Sequence, residues 1–101
     1  MIMKIGLKAN EMVVKVANTM FINSSLIAGK LILTNQRIYF IGKEDDQHNQ
    51  EIQPADIQEI IPFYTLAFIP NGLNIVTKKG EQLKFKIKNR KSWEQILNKI
   101  Y

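Results

Sequence analysis

The sequence has 101 residues, 46% hydrophobic and 23% charged, a composition typical of one globular domain with a modest core. It contains no cysteine, which excludes a disulfide framework and thiolate chemistry, and no run near the roughly 18 apolar residues of a membrane-spanning helix. The net charge of +5 favours an anionic partner, although a role in solubility explains it equally well.

Strand-forming residues dominate the first part of the chain. They predict a first strand over residues 11–22, bent or bulged near Asn18, after an N-terminal extension of residues 1–10. A polar loop follows at residues 23–25. The second strand begins near Gly29, and residues 37–42 form the third.

The hairpin between the second and third strands carries a distinctive pattern. Residues 29–43 read GKLILTNQRIYFIGK, two apolar stretches separated by a short polar break. This segment resembles the GRAM domain and the similar bacterial pleckstrin-homology-like domains, in which Gly-x-Leu-x-Leu-Thr-Asn-x-Arg-Ile/Leu-x-Phe spans a hairpin. The matching residues are Gly29, Leu31, Leu33, Thr34, Asn35, Arg37, Ile38 and Phe40.

The resemblance covers residues 11–101 and implies a mainly β domain. The expected architecture is a curled antiparallel sheet, or partly open barrel, of six to seven strands capped by one C-terminal α-helix. The expected function is non-catalytic binding of an anionic lipid or a protein. Pleckstrin-homology domains usually hold phosphoinositides through bases around the loop between the first two strands. Residues 22–28 contain no base, so an anion site is expected elsewhere.

The polar residues of the hairpin have two interpretations. The guanidinium fork of Arg37 is suited to holding an anion. Alternatively, Arg37 pairs with a local carboxylate while its stem packs on apolar neighbours, and this structural interpretation is favoured for Thr34 as well. Asn35 is expected in a turn or left-handed conformation.

Residues 43–50 are charged or polar and predict a solvated loop, followed by a short strand at 51–53 before Pro54. Asp45, Asp46 and His48 are ligand types for a divalent cation, but a solvated loop explains them better. His48 is the one histidine of the chain, so no serine has an activating partner. We expect no enzymatic activity, no metal and no cofactor.

An aromatic-rich segment follows Pro62, and Pro70-Asn71-Gly72 predicts a turn after it. Neighbouring side chains of a strand point to opposite faces, so two adjacent aromatic residues cannot both face the core. The cluster is therefore predicted to be a self-association surface, with contact to a membrane interface as the alternative. Its residues are Phe63, Tyr64, Phe68 and Ile69.

The C-terminal third combines a hairpin and a helix. Residues 73–77 pair with 82–88 across a turn at 78–81, and the second of these strands alternates strictly between apolar residues and lysines. Asn89 is the predicted N-cap of an amphipathic helix. Its apolar face carries Trp93, Ile96, Leu97 and Ile100.

The lysines of that last strand form one ridge and are the predicted anion or partner site. The ridge consists of Lys84, Lys86 and Lys88, with Lys78, Lys79, Arg90 and Lys91 as extensions and Arg37 as a separate candidate. The alternative is a charged strand face that prevents edge-to-edge aggregation.

Three binding functions remain open. The first is a binding module for an anionic lipid surface or a protein, and the second is a self-assembling scaffold without a lipid ligand. Nucleic-acid binding ranks last, because Phe85 faces inward and leaves no aromatic side chain between the lysines for base stacking. No small-molecule substrate is expected. The predicted location is cytoplasmic, or peripheral at a membrane.

Overall fold

The computed structural model describes residues 7–44, 46–66 and 68–100, with residue 100 described without its side chain. Patterns of apolar and polar side chains produce seven strands and one helix in these ranges. The strands are β1 (Val13–Ile22), β2 (Leu26–Thr34), β3 (Ile38–Gly42), β4 (Gln50–Ile52), β5 (Ile57–Thr65), β6 (Ile69–Thr77) and β7 (Gln82–Ile87). A 3-10 turn, Pro54–Asp56, precedes β5, and the helix α1 spans Arg90–Ile100.

One antiparallel sheet contains all seven strands in the order β4-β3-β2-β1-β7-β6-β5. Within the described ranges, β4 and β5 each have one strand neighbour, so the curled sheet stays open between them. This confirms the predicted six to seven strands with a C-terminal helix. It also places β7 near the centre, with β1 on one side and β6 on the other.

The core lies inside the curl of the sheet and is closed by α1. Phe21, Phe40 and Phe85 pack together with ring centroids 5.3–5.7 Å apart. The apolar face of α1 adds Trp93 and Leu97, both fully buried. A helix of 11 residues is too short to be stable alone, so it depends on this packing.

Two details of the first hairpin differ from the prediction. The register of β1 against β2 shifts between Val13 and Lys15, whereas Asn18 pairs regularly with Lys30. Asn18 faces solvent, and a polar side chain on that face requires no bend. The second strand begins at Leu26, before Gly29, because the turn at residues 23–25 brings Leu26 directly opposite Ile22.

The predicted turn at Pro70-Asn71-Gly72 is wrong, because all three residues lie in β6. The chain reverses at Leu66, whose φ of 49° is left-handed, and the Phe68 amide donates to the Thr65 carbonyl. Pairing between β6 and β7 begins only at Gly72, so the missing amide hydrogen of Pro70 removes no bond to β7. Gly72 serves packing, since a Cβ there would lie 2.5 Å from the Phe63 ring.

The helix begins where the sequence predicts. The Asn89 carbonyl accepts from the Trp93 amide at 3.4 Å, and Asn89 itself has a left-handed φ of 59°. This conformation turns the chain out of β7 and into α1.

Candidate functional site

A surface pocket of about 770 Å³ lies between β1, β2, the end of β7 and the start of β6. Four lysines line it: Lys30, Lys43, Lys86 and Lys88. Its wall is largely apolar, with contributions from Met20, Ile69 and Ile87. No carboxylate is among the lining residues that the structure describes. We call this feature the lysine pocket.

Strand register brings these lysines together from distant parts of the sequence. Lys30 lies opposite Asn18, and its ammonium donates to the Asn18 amide oxygen at 3.1 Å. Lys86 lies opposite Met20 on the other side of β1, where its carbonyl accepts from the Thr19 hydroxyl at 2.9 Å. The central strand β1 therefore separates the two lysines and fixes their spacing.

The other two lysines follow the ends of strands. The Lys43 amide continues the β2–β3 ladder by donating to the Ala28 carbonyl at 2.9 Å. Lys88 follows β7 directly and precedes the left-handed Asn89 that turns the chain toward α1. Both side chains are exposed at the rim.

The electrostatics of the lysine pocket favour an anion. In the part of the chain that the structure describes, none of the four ammonium groups forms an ion pair with a carboxylate. Like charges around a concave wall of low polarity focus a positive potential into the pocket. Such a site can bind a group with several negative oxygens, such as a phosphate.

The predicted ridge is divided by the structure. Lys86 and Lys88 line the lysine pocket, whereas Lys84 is exposed farther along β7, opposite Asn74. Since β7 is flanked by β1 and β6, these lysines do not guard a sheet edge. The aggregation explanation for their charge therefore does not apply.

The proposed extensions of the ridge lie elsewhere. Lys78 and Lys79 are at the β6–β7 turn, where a smaller depression also contains Glu51, Asp56 and Glu81. Roughly 20 Å of strand separates this turn from Lys88 at the other end of β7. Arg90 donates to the Phe63 carbonyl at 3.2 Å, and Lys91 is exposed on α1.

Arg37 is not a free anion ligand, which corrects that part of the predicted site. It is 3% exposed, and its Nε and Nη2 atoms each lie 2.7 Å from a carboxylate oxygen of Glu11. The guanidinium also lies 4.3 Å from the Tyr39 ring centroid. The hydrogen bond from Arg37 holds the pKa of Glu11 at about 2, and the bond to Glu11 raises the pKa of Arg37.

The neighbouring polar residues complete this structural role. The Thr34 hydroxyl donates to Glu11 at 2.6 Å. Asn35 lies in the turn between β2 and β3, one of the two conformations expected for it, and does not have the left-handed φ that was the other. Its side-chain oxygen accepts from the Met12 amide at 2.8 Å and its nitrogen donates to the Asn10 carbonyl. Together these contacts fasten the segment before β1 to the β2–β3 turn. The signature residues thus stabilise the fold.

The predicted self-association cluster has both half-buried and exposed members. Phe63 is half-buried with its ring over Gly72, while Tyr64 is 62% exposed, so one of the adjacent aromatic residues does point outward. Phe68 and Ile69 are exposed too, and Leu66 joins them at the end of the β5–β6 hairpin. We call Tyr64, Leu66, Phe68 and Ile69 the hairpin tip.

Two site residues escaped sequence reasoning. Lys30 and Lys43 join the lysine pocket only through the register of β2 with β1 and β3, which the pattern of one strand does not contain. Their signal was the register of two hairpins, because β1–β2 places Lys30 opposite Asn18 and β2–β3 places Lys43 beside Ala28.

The segment considered for a metal shows no such site in its described part. Across residues 7–44, 46–66 and 68–100, no three His, Asp or Glu side chains are grouped to hold a cation. Asp45 lies outside those ranges. The same ranges contain no helix with the length and apolarity needed to cross a bilayer.

Comparison with known proteins bears on the fold. The family model for the GRAM domain matches residues 2–101. The C-terminal domain of an unknown protein from Leishmania infantum is similar, with a TM-score of 0.79 and 19% identity over 88% of this chain and 83% of that one. The Vps36 N-terminal PH domain aligns with a TM-score of 0.73 and 16% identity, over 93% and 81% of the two chains. No curated protein matches the sequence. The sheet and its terminal helix therefore have the pleckstrin-homology-like fold.

Proposed function

Because the chain belongs to the GRAM domain family, whose members typically bind lipids or proteins, we propose that it is a non-catalytic module that binds the anionic headgroups of a membrane surface. The observation that carries this proposal is the lysine pocket, in which four lysines surround an apolar wall without a carboxylate among the described lining residues.

Lysine suits this ligand for a physical reason. Its ammonium is a compact charge on a flexible stem, and it binds phosphate without a fixed geometry. Each lysine near an anionic membrane contributes about 1 kcal/mol, so four lysines together contribute about 4 kcal/mol, or about 10³ in affinity. A change in affinity of that size is sufficient to shift a small domain from the free to the membrane-bound population.

Three alternatives are less well supported. A self-assembling scaffold would use the hairpin tip, and its signature is a mass that rises with protein concentration in light scattering without lipid. Nucleic-acid binding would use the lysines, but Phe85 beside them is fully buried and cannot stack on a base. An acidic protein surface competes with lipid for the same charges.

Vesicle co-sedimentation tests the proposal. Wild type should pellet with phosphatidylcholine vesicles that contain phosphatidylserine and stay free with phosphatidylcholine alone. Replacing the pocket lysines by alanine should weaken binding by up to about 10³. The four substitutions are Lys30→Ala, Lys43→Ala, Lys86→Ala and Lys88→Ala.

A matched variant controls for net charge. It removes the same number of charges from exposed positions outside the lysine pocket, and it should pellet nearly as wild type does. Its substitutions are Lys78→Ala, Lys79→Ala, Lys91→Ala and Lys99→Ala. Equal pelleting of the two variants would show that the pocket has no special part in binding.

A further inference from the structure

We propose that the hairpin tip inserts into the apolar edge of the membrane while the lysine pocket beside it holds the headgroups. This inference rests on the proposed function and adds a second point of attachment. The tip side chains are exposed: Tyr64 at 62%, Leu66 at 76%, Phe68 at 84% and Ile69 at 41%. Phe68 and Leu66 have the two highest exposed fractions among the large apolar residues that the structure describes.

The sequence of the tip is unusual for a turn in water. Leu66 adopts φ of 49°, a conformation that glycine and asparagine reach at much lower cost. A leucine at this position both strains the backbone and exposes an apolar side chain. Strain that brings no gain in packing within the fold points to a role outside it.

Contacts within the fold fasten the base of the tip before any membrane is present. The Arg90 guanidinium lies 5.8 Å from the centroid of the Tyr64 ring and donates to the Phe63 carbonyl. The Thr65 hydroxyl bonds the Asn71 side chain across the hairpin. An ordered base reduces the conformational entropy that the hairpin loses when its tip enters the lipid.

The tip and the lysine pocket share one surface. Ile69 belongs to the tip and also lines the pocket together with Pro70, so the apolar side chains begin where the lysines end. An amphipathic surface of this kind matches the boundary between headgroups and acyl chains. Tyr64 and Phe68 supply aromatic rings, which favour that depth.

Charge selects a membrane over a second copy of the chain. Residues 60–77, which include all of β6 and the part of β5 that follows Glu59, contain no charged side chain. A dimer built through the tips would bring two lysine pockets together and repel, because each copy carries +5. An anionic membrane offers an apolar layer below a negative one, which complements both parts.

The first test separates the tip from the pocket with a Leu66→Asn/Phe68→Ser variant. Asparagine tolerates the left-handed conformation of Leu66, so this variant should keep its fold. It should bind phosphatidylserine vesicles at least about tenfold more weakly than wild type. In this tip variant, inorganic pyrophosphate should still shift the amide resonances of Lys86 and Lys88 as it does in wild type. The four-lysine pocket variant should lose both vesicle binding and the resonance shifts at positions 86 and 88.

The second test measures insertion directly with Phe68→Trp. The native tryptophan, Trp93, is fully buried, so a change of emission on adding vesicles reports on position 68. Blue-shifted emission and quenching by brominated phosphatidylcholine mixed with phosphatidylserine would support insertion. The Leu66→Asn/Phe68→Ser variant, which lacks the apolar side chains of the tip, is the matched control and should show the corresponding loss of vesicle binding.

Three outcomes would overturn the inference. In the first, tryptophan at position 68 is not quenched by brominated lipid although the protein pellets with the vesicles. In the second, the Leu66→Asn/Phe68→Ser variant pellets as wild type does. In the third, wild type dimerises without lipid and this variant does not. If wild type ignores anionic vesicles altogether, the proposed function fails as well. If only the pocket variant loses vesicle binding, the tip inference alone fails.

Discussion

Glu11 and Arg37 join the segment before β1 to the turn between β2 and β3. Their carboxylate and guanidinium form two hydrogen bonds of 2.7 Å, and Glu51 lies 3.4 Å from the third guanidinium nitrogen. Both members of the main pair are buried, so losing either would leave an unpaired charge in the protein interior. The pair therefore stabilises the fold only while Glu11 is ionised.

Acid should remove this stabilisation over a defined range of pH. The pKa of Glu11 is about 2 in the folded protein and 4.5 in its ordinary state, so the unfolded chain binds the proton first. The contribution is full above pH 4.5 and is lost as pH falls toward 2. Glu11→Gln should lower the melting temperature at neutral pH, and its gap from wild type should narrow across that range in thermal melts followed by circular dichroism.

Glu59→Gln serves as the control for acid titration, because Glu59 is exposed on β5. Its melting temperature should follow that of wild type at every pH. A gap between wild type and Glu11→Gln that is unchanged between neutral pH and pH 2 would show that ionised Glu11 adds no stability.

Gly72 is a second residue with one physical task. A methyl group there would lie 2.5–2.6 Å from three atoms of the Phe63 ring, well inside contact distance. Gly72→Ala should lower the free energy of unfolding by about 1–3 kcal/mol in urea titration, since it overpacks this site. Adding Phe63→Ala removes the obstruction, so the double variant should lose less than the sum of the two single changes. Strict additivity would show that the ring does not restrict this position.

At the scale of the element, α1 is the clearest case of a short helix that depends on its docking. Trp93 is fully buried, and the Lys15 ammonium lies 5.9 Å from the centroid of its ring. Trp93→Ala should lower the free energy of unfolding by about 3–5 kcal/mol in chemical denaturation. Gln95→Ala, on the exposed side of the same helix, should change it by less than about 0.5 kcal/mol. Similar losses for both variants would mean that the buried face is not what holds the helix.

Elements with one strong period were predictable from the sequence. β7 alternates between core residues and lysines, and α1 repeats its apolar residues every three or four positions, so both were located correctly. The prediction of a turn at Pro70-Asn71-Gly72 was wrong because proline and glycine also occur in strands under particular conditions. The proline stands where β7 does not pair, and the glycine admits an aromatic ring. Tertiary contacts set both conditions, and local propensity does not contain them.

The site was predictable only in part for a similar reason. Lys86 and Lys88 follow from the pattern of one strand, but Lys30 and Lys43 reach them through the pairing of several strands. Arg37 was an ambiguous residue whose carboxylate partner, Glu11, is distant in the sequence. A single strand shows which face is charged, and the sheet shows which charges meet.

For the whole molecule, the distribution of charge gives the domain an orientation. The lysine pocket adjoins the uncharged hairpin tip at Ile69. Glu51, Asp56 and Glu81 gather near the β6–β7 turn, at the opposite end of β7. If the proposed membrane binding holds, an anionic surface attracts the lysine pocket more strongly than the β6–β7 turn, where Lys78 and Lys79 stand beside three carboxylates, so the domain should approach with the pocket and tip leading.

Salt should therefore weaken the approach without removing all contact. Raising the ionic strength from about 0.1 M to about 1 M shortens the Debye length from about 10 Å to about 3 Å, which screens the exposed lysines from the headgroups. Co-sedimentation of wild type with phosphatidylserine vesicles should fall steeply over this range, while the four-lysine pocket variant should start low and change little. The portion of wild-type binding that survives high salt should disappear in Leu66→Asn/Phe68→Ser, because apolar insertion is not screened. Wild-type binding that ignores salt would contradict an electrostatic role for the pocket, since the charge of its lysines is then irrelevant to the encounter.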